Sequence, residues 1–503
     1  MNINRRGFLF GSTAAAALAG CATRKVGLRP LNPGEKRRIA MIGYGIQMRT
    51  ALIPQFLDRK NNKNLEIVAV CDCDKVRAAA GAKQVNDAYK NGNCKAVADF
   101  RDILKDPTID AVCIATPDHW HAYMSVEAMK HGKDVYCEKP LTFSIDEAKK
   151  VIAAQKKYDR VFQTGSMQRS WREFRDAVAL VRGGLIGDVR YVDANFGIGG
   201  KKLGGPSHPV RFFDRPENAE KEGKANPDVD WNMWLGPAKW RPYSDQLAPR
   251  GVNKFYPMFW RFDDDLGSGY NGDWGAHHLD IAQWGLDMDK SGPVKIVCSE
   301  EPHSTDLFHG GRRQFGAKMM FRQNGRDIEL YHGPFGVWGT VFYGTKGIVA
   351  VNRGKIALWL TNGLVKPDAA IRKQVADATL PGLVAASIGK DYGTDATVKQ
   401  DNRLAAVLDR FEKDYKDVIA KAGLYVSQNQ VRNFCECIET RENPISDAET
   451  GARSGVLCLL CNLSYQYDTG FEWDGEKLEI KGCNRKGIST RREVYRNGWE
   501  IIV

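Results

Sequence analysis

Several things are missing from this 503-residue chain, and each absence removes a class of protein. No segment recurs at a fixed period, so solenoids and propellers are excluded. No mature stretch is low in complexity or biased enough for long disorder. Beyond the first 21 residues no run is long and apolar enough to cross a bilayer, which takes ~20 residues. The formal charge is +12, but the basic residues are scattered, and no motif for nucleic acid accompanies them. The 12 cysteines lack the four-ligand spacing of a zinc site: Cys71-x-Cys73 and Cys435-x-Cys437 stand as isolated pairs. No metal site is expected. Cys71, Cys113, Cys137, Cys298, Cys458 and Cys461 fall in apolar runs, where a thiol behaves as a small hydrophobe.

What is present begins with an address. Residues 1–21 contain no acid. They run from Arg5-Arg6-Gly7-Phe8-Leu9 through a weakly apolar stretch to Leu18-Ala19-Gly20-Cys21. The order resembles a twin-arginine signal ending in a bacterial lipobox, with Cys21 as the acylated residue. Without that segment the chain carries +10, since only Arg5 and Arg6 are lost with it. Residues 22–34 read as a tether. The expected location is the periplasm or cell envelope, with the membrane reached through the lipid alone. Twin-arginine export carries folded proteins, so a nucleotide enzyme sent this way leaves the cytoplasm already loaded.

From Arg38 the pattern alternates strand and helix. Arg38–Ile42 ends in Gly43-Tyr44-Gly45-Ile46, Glu66–Cys71 ends in Asp72, and Ala111–Ala115 and Asp134–Cys137 follow. Strands spaced by helical segments predict a parallel sheet of right-handed βαβ units, an N-terminal Rossmann domain over 35–160. A Gly-x-Gly turn opening a helix places backbone N–H groups where a pyrophosphate sits. Asp72 at the tip of the second strand suits a ribose 2′-hydroxyl and repels a 2′-phosphate, so the expected cofactor is NAD. Met48 stands where the fingerprint has its third glycine, which predicts a less usual approach of the helix to the strand.

Past Phe162 the strands lengthen and alternate in character, with Asp188–Asn195, Val294–Glu300, Ala317–Phe321, Asp327–Tyr331 and Ile348–Val351 the clearest. They predict an α+β domain over 161–475 with a large, mostly antiparallel sheet, one face of it free for a partner. Residues 476–503 form a polar, basic C-terminal extension.

Two motifs carry a resemblance. Thr116-Pro117-Asp118-His119-Trp120-His121 with Glu138-Lys139-Pro140, and Asp273-x-x-x-His277-x-x-Asp280, are similar to those of the Gfo/Idh/MocA oxidoreductases, as is the turn Gly344-Thr345-Lys346-Gly347. The similarity runs from about Arg38 to Asp474. It implies that Lys139 is the catalytic lysine beside a proline often in the cis form. It also implies that Asp273 and His277, four apart and on one helical face, supply a carboxylate and a general base. Thr116, Pro117, His119, Glu138 and Gln168 are then expected on the cofactor, together with Gly43, Tyr44, Gly45, Ile46 and Asp72. Arg169, Trp260 and Arg261 are expected on the substrate, since flat aromatic faces beside planar donors suit sugar rings. Members commonly form homo-oligomers through the second sheet. The expected activity is hydride transfer between NAD and a secondary alcohol of a sugar, glycoside or cyclitol, with cofactor held and recycled. Redox-neutral glycoside cleavage through a 3-keto intermediate and a non-catalytic sugar-binding lipoprotein are the alternatives.

Overall fold

The computed structural model describes residues 29–195, 226–298 and 317–503, apart from 246, 253–258, 264, 270, 334–336, 389–401 and 493–494. Cys21 and the signal segment lie outside the described residues.

Six short strands build the first sheet: β1 (Arg37–Ile42), β2 (Leu65–Cys71), β3 (Lys95–Val97), β4 (Ala111–Ile114), β5 (Asp134–Cys137) and β6 (Phe162–Thr164). All pair in parallel, in the order β3-β2-β1-β4-β5-β6. β4 and β5 are buried at every position, as expected for strands covered by helices on both faces. The connecting helices include α1 (Lys75–Tyr89), α2 (Asp118–Lys130) and α3 (Ile145–Tyr158). The Asp74 carboxylate starts α1 by accepting from the Val76 and Arg77 amides. A Ser144/Glu147 capping box starts α3. The sixth strand falls at 162–164, just beyond the boundary expected at residue 160.

The second sheet has ten strands: β7 (Val189–Ala194), β8 (Lys295–Val297), β9 (Lys318–Gln323), β10 (Arg326–His332), β11 (Thr340–Gly344), β12 (Gly347–Asn352), β13 (Lys355–Leu360), β14 (Leu383–Ile388), β15 (Phe471–Asp474) and β16 (Glu479–Gly482). Their order is β14-β13-β12-β11-β7-β10-β9-β8-β15-β16. Among the described strands of this sheet only the β7–β10 pair is parallel. Side chains alternate between two cores. Val192, Phe342, Val349 and Leu358 face the main core, which includes residues of α4 (Arg172–Arg182) and α5 (Ala276–Gly285). Val341, Tyr343, Ile348 and Trp359 face a smaller core on the opposite side. That opposite face, expected to be free for a second subunit, carries its own cover near β11–β13. Helix α6 (Ala369–Ala376) lies on it, with Arg372 bonded twice to Asp193 at 2.9 Å and the Trp338 indole donating to the Val375 carbonyl.

The chain then returns to the first domain. Helix α7 (Gln430–Thr440) brings Phe434 against Phe56 and Tyr136, and α8 (Ala448–Tyr467) packs on α3 and α5. The extension is no free tail. β16 completes a hairpin with β15, and Trp499 packs edge-on against Trp120 of α2 at 4.9 Å.

Candidate active site

The junction of the two domains holds a cleft of about 890 Å³ along the C-terminal edge of the parallel sheet, where open α/β sheets bind ligands. Gly43 leaves β1 with φ +88° and donates its N–H to the Cys71 carbonyl at 2.8 Å. A Cβ there would stand 2.7 Å from the Ala115 carbonyl oxygen, so the turn admits only glycine. A Cβ on Gly45 would meet nothing within 4 Å among the described residues. Gly43, Gly45 and Ile46 line the cleft.

Tyr44, expected on the cofactor, does not line it. Its backbone N–H is given to Asp72 and its hydroxyl donates to Gln84 on α1. The positive φ of Gly43 turns the next side chain under α1, where the ring packs on Gly81. Asp72 lines the cleft and accepts from the Tyr44 amide at 2.8 Å and the Asp74 amide at 2.9 Å. Burial raises its carboxyl above the ordinary range, against the pull of Arg77. Each oxygen keeps a further lone pair for a hydroxyl. Met48 is fully buried, and the residues from Met48 to Leu52 form a π-helical turn before the α-helical Ile53–Leu57. The widened turn fits a methionine where glycine would allow close packing.

At the other end, β5 delivers Glu138 and Lys139, followed by a cis Lys139–Pro140 peptide. Glu138 accepts from the Gln47 side-chain amide at 3.1 Å, and burial raises its carboxyl. The Lys139 ammonium reaches across to the second domain. It donates to both the backbone oxygen and Oδ1 of Asp273, each at 2.8 Å. Both side chains are largely but not wholly buried. Burial alone would raise the Asp273 carboxyl, but Lys139 and Arg261 outweigh it and hold it at about 2. Arg261 lies 3.6 Å from the same carboxylate, its guanidinium 4.3 Å from the centre of the Trp260 ring. Lys139, Asp273, Trp260 and Arg261 all line the cleft, as do Thr116 and Pro117.

His277 sits just behind this group. It is 5% exposed, its ring meets Trp274 edge-on at 6.0 Å, and Nδ1 is buried without a hydrogen-bond partner among the described residues. Burial, then the charges of Lys139 and Arg353, push its imidazole well below the usual range, so the ring is neutral at physiological pH. The shared helical face expected for Asp273 and His277 is altered, because Asn271–Gly275 forms a π-helical turn and α5 begins only at Ala276.

Three expected contacts belong elsewhere. His119 is buried with its ring nitrogens 3.1 Å from the Leu266 and Trp234 carbonyls, and burial lowers it to about 3. It ties α2 to the second domain and does not face the cleft. Gln168 donates to the His277 carbonyl and accepts from Arg353, bracing α5 from behind. Arg169, expected on the substrate, is 1% exposed. It is bonded to Asp280 and Asp289. The cleft is also lined by residues that the sequence did not single out for the site, Gln47, Arg77 and Trp274 among them. For Trp274 the signal was its place beside Asp273 in the motif.

Residues 37–166 match the family model described as the oxidoreductase family's NAD-binding Rossmann fold, and residues 211–327 match the model of its C-terminal alpha/beta domain. Both matched models are those of the Gfo/Idh/MocA oxidoreductases. Among curated relatives, scyllo-inositol 2-dehydrogenase (NAD(+)) of Bacillus subtilis is 35% identical over 126 residues, 25% of this chain and 35% of that protein. A glycosyl hydrolase family 109 protein of Saccharopolyspora erythraea is 29% identical over 208 residues, 37% of this chain and 44% of that protein. The chain therefore spans less than half the length of these relatives. Among solved structures, a levoglucosan dehydrogenase in complex with NADH and levoglucosan shares the fold at a TM-score of 0.50 and 17% identity, over 88% of this chain and 100% of that one.

The cleft fits the dinucleotide of this family. Gly43 and Gly45 leave the backbone bare where a pyrophosphate approaches, and Asp72 offers a carboxylate at the ribose position. Thr116 Oγ1, at the cleft wall, is buried without a hydrogen-bond partner among the described residues, a donor waiting for one.

Proposed function

We propose that this protein is an exported, lipid-anchored oxidoreductase that moves hydride between NAD and a secondary alcohol of a sugar, glycoside or cyclitol. The observation that carries the reading is the Lys139–Asp273 pair at 2.8 Å on the wall of the dinucleotide cleft. Bound NAD supplies the hydride acceptor or donor, and the proton falls to the protein. Asp273, ionised at any pH above about 2, holds the Lys139 ammonium at the cleft wall. In the reducing direction that ammonium donates its proton to the ketone oxygen as hydride reaches the carbon. In the oxidising direction the neutral amine takes the hydroxyl proton as hydride leaves. The imidazole of His277, behind the pair, is kept neutral by its burial and by Lys139 and Arg353, and so adds no second charge beside the ammonium. Trp260 and Arg261 offer an aromatic face and a planar donor to the sugar ring.

The likeness to a glycosyl hydrolase family 109 protein favours one second reading. Oxidation at C3 of a glycoside acidifies the C2 hydrogen. Elimination of the aglycone, addition of water and return of the hydride then cleave the glycoside with no net use of NAD. The test is product analysis after incubating NAD-loaded protein with cyclitols, free sugars and glycosides. A ketone with reduced nicotinamide supports the dehydrogenase, and a released aglycone without net reduction supports cleavage. Neither product from any member of the panel overturns both.

A further inference from the structure

We infer that residues 226–245 and 247–250 of the second domain complete the adenosine end of the cleft and slow the nucleotide's escape from it. The inference rests on the cleft being the NAD site. The β2 strand ends at Cys71, and in an open Rossmann sheet the loop that follows borders the adenosine on its solvent side. Here that loop is roofed. The Asp230 amide donates to the Cys73 carbonyl and the Lys75 amide to the Asp228 carbonyl, both at 2.9 Å, around a bridge between Asp74 and Val229. Arg77 at the start of α1 donates to the Pro249 carbonyl at 2.7 Å. Val229, Met233, Leu247 and Pro249 line the same cleft as Asp72 and Phe100.

The roof is fastened from two further sides. On α2, the Trp120 indole donates to the Trp234 carbonyl at 3.1 Å, and Gly236 lies so close that a Cβ would stand 2.1 Å from the Trp120 ring. From the C-terminal extension, Arg496 grips the outer surface. It donates to the Ala238 carbonyl at 2.9 Å, to Asn232 Oδ1 at 2.6 Å and to the Asn232 carbonyl at 3.0 Å. Within the segment, Trp231 stacks on Trp234 at 4.7 Å and 15°, which stiffens it. Opening the clasp breaks bonds to three separate parts of the chain, which slows the escape of a nucleotide beneath it.

Arg496 touches the clasp and does not line the cleft, so its removal tests the clasp without touching the nucleotide. The full chain is loaded with labelled NAD, chased with unlabelled NAD and sampled by gel filtration, with circular dichroism as the check on folding. We expect the unaltered protein to retain about one NAD per chain. Arg496→Ala should release it about tenfold faster, the loss of one charged hydrogen-bond set, and Asn232→Ala, on the other side of the joint, should shift it in the same direction. Binding of nicotinamide mononucleotide, which lacks the adenosine half, should be unchanged in both variants. Equal NAD release from the unaltered protein and from whichever variant folds overturns the clasp and leaves the NAD site standing. Equally weakened mononucleotide binding also overturns it, and no NAD bound by any form overturns both.

Discussion

Replacing Asp273 with Asn removes one charge and almost no volume, so it isolates the ion pair at the centre of the site. The carboxyl stands at about 2 against an ordinary 3.8, a difference worth about 2 kcal/mol in favour of its charged form. Because the folded-state value is depressed, that stabilisation is fully present above about pH 4 and is lost as the pH falls through about 2. Asp273→Asn should therefore unfold about 2 kcal/mol more easily in urea near neutral pH, and the gap should close in acid. Catalysis should fall further. An unpartnered Lys139 ammonium beside the Arg261 guanidinium loses its aim at the cleft wall, so kcat should drop about a hundredfold or more. NAD affinity should change little, because the Gly43 and Asp72 end is untouched. Denaturant titrations at neutral and acid pH, paired with steady-state kinetics, read all three effects. A variant with unchanged stability at neutral pH and unchanged kcat would refute the role given to the pair.

Other perturbations address the remaining parts. Gly43→Ala forces a Cβ to 2.7 Å from the Ala115 oxygen at a positive φ. It should abolish NAD binding in calorimetry and cost at least about 1–2 kcal/mol through backbone strain alone. Asp72→Ser removes the carboxylate that repels a 2′-phosphate, so the ratio of NADP to NAD affinity should rise at least about tenfold; an unchanged ratio would move the ribose contact elsewhere. Arg169→Met leaves the Asp280 and Asp289 carboxylates without their cation and should destabilise the protein by about 3–5 kcal/mol. If it instead raised KM selectively with no change in melting temperature, Arg169 would be a substrate contact after all.

The parallel sheet was legible because its strands are buried on both faces and read as unbroken apolar runs. The alternating strands of the second sheet were legible because each face has its own core. The Lys139–Asp273 pair was legible as two motifs, although the residues lie 134 apart and nothing local says that they touch. The misplaced residues share one cause. His119 finds its carbonyl partners 115 and 147 residues away, and Arg169 finds its carboxylates 111 and 120 residues away. A buried polar side chain whose partners arrive through tertiary packing looks, in sequence, the same as one that faces a ligand. Tyr44 lies away from the cleft for a local reason, since the φ of Gly43 decides where the next side chain points. The C-terminal extension looked inert because Trp499 and Arg496 act through surfaces supplied by the first domain and by residues 232–238.

The central claim is that the cleft moves hydride between NAD and a sugar-like secondary alcohol. The direct measurement offers the NAD-loaded protein a panel of cyclitols and sugars deuterated at their carbinol carbons, denatures it and weighs the released nucleotide by mass spectrometry. The account predicts deuterium on the nicotinamide ring for at least one of these alcohols, and its loss in Lys139→Ala. Nucleotide that remains unlabelled across the panel, or labelling that survives Lys139→Ala undiminished, would contradict it.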